Sequence, residues 1–348
     1  MRRTRPGVAD TVTERLLDRG SVGNFPHHAG TAAIEVAKIA PLLSSPEQAD
    51  LSMAVAFRLA GGSILDGVFE DDTVTEVMIN GPGLVRVERG GRIESLTTRL
   101  GLADIDRLIE NLLAPTGRRV DRSNPVLDVR LDDRTRCHVV VPPVAVDGPL
   151  VSIRRFPATP LPLQALATPA GVSELRTLLA GRASLLVYGP TSSGKTSLIA
   201  SLVAEIAATE RIVVIEEAAE IPRVDSSLIR LEAQPANLEG SGGVVMEQLV
   251  AAGLRMRPDR IVIGEVRGSE AFDLLQALAT GHTGSMATVH AADAEGALWR
   301  IASLAARRTG AGTVDQLLTQ VRRSIDVAVR MERGPDGLRR VSAIEAIR

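Results

Sequence analysis

The first third of the chain changes its hydrophobic period near residue 66. Before that point apolar residues recur at helical spacing, and Gly, Pro and Ser separate three predicted helices, over 8–17, 31–43 and 46–59. After it, apolar and polar residues alternate, which predicts strands over 75–80, 84–88, 126–131 and 136–141, with a helix over 102–113. The pattern therefore predicts an N-terminal helical segment, residues 1–65, and a small α+β domain, residues 66–156.

The remainder of the chain has a different pattern. The proline-rich composition of residues 157–165 predicts a stiff linker. Beyond it, helical segments alternate with short aliphatic strands, predicted over 185–188, 212–215, 261–263 and 285–289. Such alternation is typical of an α/β domain with a mainly parallel sheet covered by helices, here over residues 166–348.

Composition limits the classes of function. A formal charge of −2 gives no general attraction to nucleic acid or anionic lipid, and the aromatic content is only 2%. Cys137 is the single cysteine, so it forms no internal disulfide and no cysteine zinc site, as is usual in a reducing compartment. No run of 18 uninterrupted apolar residues occurs. We therefore expect a cytoplasmic protein that contacts a membrane only through partners.

A glycine-rich loop carries the most specific chemistry. Of the 40 basic residues only Lys38 and Lys195 are lysine, and Lys195 lies in the frame G-x-x-x-x-G-K-T over 189–196. A buried strand precedes this frame and an aliphatic helix follows it, as in a P-loop that holds the phosphates of ATP while Thr196 binds Mg²⁺. A compact ammonium fits such a loop better than a planar guanidinium does. The predicted nucleotide-binding residues are Gly189, Pro190, Thr191, Ser192, Ser193, Gly194, Lys195, Thr196 and Ser197.

Two further aliphatic strands end in acidic residues. The strand over 212–215 runs into Glu216 and Glu217, and the strand over 261–263 is followed by Gly264 and Glu265. Ligands of open α/β sheets bind at the carboxyl ends of strands. Glu216 is therefore a candidate to bind Mg²⁺ or to orient the attacking water, and Glu265 is a candidate general base or water-orienting group. Which of the two is the general base stays open. For the acids that follow the strand over 212–215, a solvated acidic turn is the plainer interpretation.

The segment over 280–290 contains two of the five histidines. His282 lies in a glycine-rich turn, and His290 ends the strand predicted over 285–289. Their spacing alone is weak evidence for a metal site. Behind a P-loop, both are better interpreted as sensors of the γ-phosphate, because an imidazole donates a hydrogen bond that disappears when the phosphate leaves.

These segments together resemble the ATPases of the type II/type IV secretion superfamily, and most of all those of tight-adherence (Flp) pili and related actinobacterial systems. Four boxes carry the resemblance: GPTSSGKT (189–196), RIVVIEEAAEIP (211–222), LRMRPDRIVIGEVRG (254–268) and TGHTGSMATVHA (280–291). It extends upstream through TEVMINGPG (75–83), TGRRVDRSNPVLDVRL (116–131), TRCHVVVPP (135–143) and SIRRF (152–156).

The resemblance implies a homo-hexameric ring of subunits, each with a PAS-like domain before a RecA-like P-loop domain. It implies that arginines of the first domain reach the γ-phosphate, and the matching positions are Arg136 and Arg154, with Arg118 and Arg119 next. It further implies an ATP- and Mg²⁺-dependent motor, peripheral at the cytoplasmic membrane, that moves a polytopic inner-membrane platform protein.

Three departures from the family pattern bear on this expectation. Glu217 stands where aspartate is usual, Ala291 and Ala292 follow His290 where a polar residue is common, and a cysteine-rich zinc insertion is missing. A nucleotide-gated scaffold with little turnover is therefore one alternative function. A RecA-like or helicase-like nucleic-acid motor is another, although the near-neutral charge and the few aromatic residues favour a protein that binds no nucleic acid.

Overall fold

The computed structural model of the protein describes residues 25–41, 73–132, 134–206, 208–234 and 242–348, with short stretches between residues 11 and 71. The chain divides into two compact units, Met1–Phe156 and Pro157–Arg348. Helix α1, Phe25–Ile39, overlaps the helix predicted over 31–43. The helices predicted over 8–17 and 46–59 lie for the most part outside the described residues. In the described part of the chain, no helix combines the length and the apolarity needed to cross a membrane.

The first unit contains a six-stranded antiparallel sheet. Its elements are β1 (Val74–Asn80), β2 (Gly83–Arg89), β3 (Arg92–Leu100), α2 (Leu102–Leu113), β4 (Val126–Asp132), β5 (Thr135–Val140) and β6 (Leu150–Arg155). The strand order is β3-β2-β1-β6-β5-β4, so that β1 and β6 pair at the centre. A short 3-10 turn over 114–116 follows α2.

Alternation along these strands separates a buried face from a polar one. Val77, Ile79, Val139 and Ile153 lie on the buried face and pack in one core with the apolar side of α2. Their sequence neighbours, such as Glu76 and Arg154, point to the opposite face. The α+β character expected from the sequence therefore arises from one helix that covers one side of an antiparallel sheet.

Two strands of this sheet were not predicted. Strand β3 lies at the edge and is mostly exposed, so it lacks the buried apolar alternation that marks a strand in a sequence. Strand β6 is central, but only Val151 and Ile153 are buried, and arginines follow them at once. A run this short carries too few apolar positions to be distinguished from a loop.

The second unit is a seven-stranded α/β structure. Its elements are α3 (Pro169–Ala180), β7 (Leu185–Gly189), α4 (Lys195–Glu205), β8 (Ile212–Glu216), β9 (Leu228–Glu232), α5 (Met246–Leu254), β10 (Arg260–Ile263), α6 (Glu270–Ala279), β11 (Met286–His290), α7 (Ala294–Ala305), α8 (Val314–Ser324), β12 (Val327–Arg333) and β13 (Arg339–Ala346). The order is β13-β12-β7-β11-β10-β8-β9, and only the β12–β13 pair is antiparallel.

Helices cover both faces of this sheet and create two apolar cores. The four predicted strands are present as β7, β8, β10 and β11, all parallel and adjacent. Strands β9, β12 and β13 were not predicted, because each mixes charged and apolar residues and keeps several side chains partly exposed. The continuous aliphatic runs mark the strands that are buried on both faces.

The segment predicted as a linker, 157–165, is packed onto the second unit. Leu163 is fully buried in the core that also contains α3 and α4, within a 3-10 turn over 163–165. The hydroxyl of Ser201, on α4, donates a hydrogen bond to the carbonyl of Leu161 at 2.6 Å. These contacts fix the last residues of the segment to the P-loop helix.

A buried ion pair holds the amino-terminal edge of the parallel sheet together. Arg260, at the start of β10, is 2% exposed and donates to both carboxylate oxygens of Glu210, at 2.8 and 2.9 Å. It also donates to the carbonyls of Leu179 and Gly284. One guanidinium therefore connects β10 with the end of α3, the segment before β8 and the turn before β11.

We predict that Arg260→Met lowers the free energy of unfolding of the second unit by about 3 kcal/mol, because it removes a buried cation that donates to the Glu210 carboxylate and to two carbonyls, and leaves Glu210 paired with the more exposed Arg182. The hydrogen bond from Arg260 lowers the pKa of Glu210. The stabilisation is therefore present above the ordinary carboxyl pKa and disappears as the pH falls through the lowered value. The difference in the free energy of unfolding between the variant and the wild type should accordingly become smaller as the pH falls.

Urea unfolding followed by the fluorescence of Trp299, the single tryptophan, measures this difference. Arg176→Met is the matched control, because Arg176 makes the same two-pronged contact with Glu205 on the surface. An exposed pair contributes at most about 1 kcal/mol. Equal losses in the two variants would show that burial does not strengthen the role of Arg260.

Candidate functional site

The carboxyl ends of four parallel strands meet at one edge of the second unit. Strand β11 pairs with β7 so that His290 lies opposite Gly189, the first residue of the predicted P-loop. Strand β10 pairs with β11 on the other side, which brings Glu265 to the same edge. This parallel register assembles residues that lie about 100 positions apart in the sequence.

The loop over 189–194 has the backbone of a phosphate cradle. Gly189, Ser192 and Gly194 have positive φ angles of 150°, 61° and 94°, and Gly194 caps the amino terminus of α4. The Ser193 hydroxyl is buried and, within the described parts of the chain, has no hydrogen-bond partner. A left-handed turn that opens into a helix, with a spare hydroxyl donor, fits a bound phosphate.

Lys195 lies inside this loop and is 6% exposed. Its ammonium donates to the carbonyl oxygens of Gly189 and Pro190, at 3.2 and 3.0 Å, and lies 3.1 Å from Nδ1 of His290. Burial, more than any neighbouring charge, lowers the pKa of Lys195. These three contacts use all three N–H donors of the ammonium.

His290 connects the lysine with an acid. Its Nε2 lies 3.0 Å from Oε1 of Glu265, on the side of the ring away from Lys195. Burial and the charge of Lys195 lower the pKa of His290, which favours the neutral imidazole. Because the ammonium has only donors, Nδ1 must accept, and the ring proton therefore sits on Nε2 and points at Glu265.

Arg267 also holds Glu265 in place. Its guanidinium donates to both oxygens of Glu265, at 2.7 and 3.1 Å, and also to Glu217 at 2.7 Å. Burial alone would raise the pKa of Glu265, but the hydrogen bond and charge of Arg267, together with the charge of Lys195, lower it. Glu265 is therefore an ionised carboxylate that donors hold in place next to the P-loop.

Glu216 is part of the interior of the protein. It is 3% exposed, and its carboxylate accepts hydrogen bonds from the backbone N–H groups of Glu220 and Ile221. Burial raises its pKa to about 8. A largely protonated side chain whose oxygens accept backbone hydrogen bonds is poorly suited to bind Mg²⁺ or to polarise water, the role predicted for it. These contacts favour a structural role, in which Glu216 closes the turn after β8.

The structure separates the two histidines of the fourth box. His282 precedes β11, whereas His290 ends it, and the strand between them is about 13 Å long. Nδ1 of His282 lies 3.1 Å from the carbonyl of Ala277, at the edge opposite the P-loop. His282 therefore cannot sense a phosphate held by the P-loop of its own unit, because the parallel strand fixes the two residues at opposite ends.

Arg136 and Arg154 are neighbours on the polar face of the first unit. They lie directly opposite each other on β5 and β6, so their side chains share a face. Arg136 forms a two-pronged pair with Asp128, at 2.6 and 2.7 Å, and Arg154 lies over the ring of Phe156. Arg118 and Arg119 are in the loop between α2 and β4. Their predicted contact with the γ-phosphate stays a prediction.

Arg267 is the site residue that the sequence analysis did not identify. It lies two positions after Glu265 in an extended segment, and this spacing places the two side chains on the same side of the backbone. This spacing could have indicated the contact, but arginine is so frequent in this chain that a single one is not distinctive.

The oxygen donors at the loop suit Mg²⁺, which prefers hard ligands and keeps several waters. The Thr196 hydroxyl in the first turn of α4 and the ionised Glu265 carboxylate are such donors. Within the described ranges, no group of three or more histidine, cysteine or acidic side chains forms an all-protein metal cage. The residues present therefore fit an ion that a nucleotide helps to hold.

Comparison with known proteins shows the family of the chain. The profile of the family described as "Type II/IV secretion system protein" matches residues 60–333. A putative conjugal transfer protein of Mycobacterium tuberculosis is 36% identical, over 83% of this chain and 85% of its own length. The type IV secretion system protein PtlH of Bordetella pertussis is 34% identical, over 77% of this chain and 88% of its own.

A solved structure shows the same fold. The ATPase DotB of Legionella pneumophila superposes with a TM-score of 0.58 at 19% identity, over 80% of this chain and 78% of its own. The predicted resemblance to the secretion superfamily is confirmed by the family match and by these relatives together.

We predict that Lys195→Met raises the pKa of His290 and that Glu265→Gln lowers it. The first change removes a positive charge beside Nδ1, and the second removes the negative charge beside Nε2. Imidazole ¹⁵N shifts recorded against pH measure both, with the signal of His282 at the far edge as an internal reference. A His290 pKa that changes in neither variant would contradict the contacts of His290 with Lys195 and Glu265.

Proposed function

The chain belongs to the type II/IV secretion system protein family, and on that premise we propose that it is an ATP-hydrolysing motor for a pilus-like or type II-like secretion machine. The relatives described as conjugal transfer and type IV secretion proteins support this class of function. The observation that carries the proposal is the chain of polar contacts from the P-loop through Lys195, His290 and Glu265 to Arg267.

ATP binding changes the partners of Lys195 in this mechanism. A β- or γ-phosphate competes for the ammonium that now donates to two loop carbonyls and His290. When the ammonium binds phosphate instead, Nδ1 of His290 loses its donor. The basicity of the ring then changes, and with it the strength of the hydrogen bond from Nε2 to Glu265. His290 thereby reports phosphate occupancy to the carboxylate next to it.

Glu265 is the proposed general base or water-orienting group. It is ionised and Arg267 and His290 fix its direction, so it can accept a hydrogen bond from a water that attacks the γ-phosphate. Mg²⁺, held by Thr196 and the nucleotide, would neutralise phosphate charge when bound. Glu217, which contacts Arg267, keeps that arginine oriented.

Membership of the family supports further parts of the proposal. We propose that the first unit is PAS-like, that six copies form a ring, and that Arg136 and Arg154 supply positive charge to a γ-phosphate. The ring would lie in the cytoplasm, peripheral to the cytoplasmic membrane, and would drive a polytopic platform protein there. Membrane contact through that partner is consistent with the described residues, whose helices are too short or too polar to span a bilayer.

Two other functions compete with this one. A nucleotide-gated scaffold would bind ATP and hydrolyse little of it, which the glutamate at position 217 allows. A nucleic-acid motor would need a basic channel bearing aromatic residues, and the chain has a formal charge of −2 and 2% aromatic residues.

We predict that Glu265→Gln lowers kcat for ATP hydrolysis by about a hundredfold or more, because the amide cannot accept a proton from water. Glu216→Gln should stay close to the wild-type rate, since the amide resembles the protonated carboxyl that burial favours at that position. A phosphate-release assay with Mg²⁺ and ATP compares the two. A large loss with Glu216→Gln and none with Glu265→Gln would reverse the two assignments.

The same assay separates the competing functions. A wild-type rate no higher than that of Glu265→Gln would favour the scaffold. Strong stimulation by single-stranded DNA at physiological salt would favour the nucleic-acid motor, whereas a secretion motor should not respond to it.

A further inference from the structure

The carboxyl-terminal hairpin, β12 and β13, packs directly against the P-loop. Strand β12 pairs in parallel with β7, the strand that leads into the loop, with Arg330 opposite Tyr188. A Cβ atom on Gly189 would overlap the carbonyl oxygen of Met331, so the hairpin backbone touches the first glycine of the loop. The Tyr188 hydroxyl also donates to Glu345 of β13. The hairpin is therefore fixed relative to the phosphate cradle.

Arg339, the first residue of β13, reaches the other end of the loop. A Cβ atom on Gly194 would lie 2.8 Å from Cδ of Arg339 and 3.1 Å from its Cβ. The aliphatic part of this arginine therefore rests on the glycine that caps α4. Arg339 is partly exposed, in contrast with the buried Lys195 on the inner side of the loop.

We propose that Arg339 is a nucleotide-binding residue, whose guanidinium contacts a phosphate of the nucleotide held by the P-loop. This inference rests on the proposed function, because it assigns a further ligand-binding group to the same site. The guanidinium begins one bond beyond the Cδ atom that lies over Gly194, and Gly194 is the N-cap of the helix whose amino terminus faces the phosphates. A planar fork of N–H donors matches phosphate oxygens, and the hydrogen bonds are charge-assisted.

The hairpin contains an arginine that serves as an internal control. Arg340 follows Arg339 directly, so its side chain points to the opposite face of β13. There it pairs with Asp336, at 2.6 and 2.7 Å, within the turn of the hairpin. It has the same chemistry and nearly the same position in the sequence, but it does not lie on the loop glycine.

Arg339→Met tests the proposal, because methionine keeps an unbranched apolar stem for Gly194 and removes only the charged fork. We predict that the Kd values for ATP and for ADP both rise about tenfold or more, the loss typical of a hydrogen bond to a charged group. We also predict that Arg340→Met leaves both Kd values unchanged. Titration of a fluorescent ADP analogue, with ATP and ADP as competitors, measures these Kd values. The four proteins to compare are the wild type, Arg339→Met, Arg340→Met and Lys195→Ala.

The outcomes separate this inference from the function on which it rests. If the wild type binds ATP no better than Lys195→Ala does, the proposed function fails and the role of Arg339 fails with it. If the wild type binds ATP but Arg339→Met binds it equally well, only the role of Arg339 is overturned. The same conclusion follows if Arg339→Met and Arg340→Met weaken binding to the same extent, because a contact specific to Gly194 predicts different effects.

Discussion

The buried ammonium of Lys195 constrains the rest of the nucleotide edge. A charge that is 6% exposed is costly unless every donor finds an acceptor, and here two loop carbonyls and one imidazole nitrogen accept. That arrangement dictates the tautomer of His290, whose remaining proton must point to Glu265. Glu265 in turn needs Arg267 as a further donor. Lys195 thus determines the tautomer of His290, and Arg267 keeps Glu265 ionised.

Parallel strand pairing makes this arrangement possible. The P-loop, the aliphatic strands and the acid after β10 could be predicted from the sequence, because continuous apolar runs mark strands that are buried on both sides. The adjacency of His290 and Gly189 could not, since it depends on which strand lies between β7 and β10. For the same reason the sequence grouped His282 with His290, although a complete strand separates them.

Glu216 shows a second limit of prediction from sequence. An acid after an aliphatic strand looks the same in a sequence whether its side chain turns outward to a ligand or inward to a backbone turn. At Glu216 the next residues fold back and present two N–H groups, and burial then favours the protonated form. At Glu265 the guanidinium of Arg267 donates to both oxygens, and the carboxylate stays ionised. The electrostatic surroundings of the two acids differ, and they depend on tertiary contacts.

Lysine and arginine have different structural roles in the second unit, and their geometry explains why. Arg260 and Arg267 each present two or more N–H groups in a plane to a carboxylate, which suits flat, two-pronged contacts at both edges of the sheet. Lys195 must direct three donors outward from one point inside a narrow loop, which a planar guanidinium cannot do. A chain that otherwise uses arginine almost throughout therefore keeps lysine at the position where tetrahedral geometry is required.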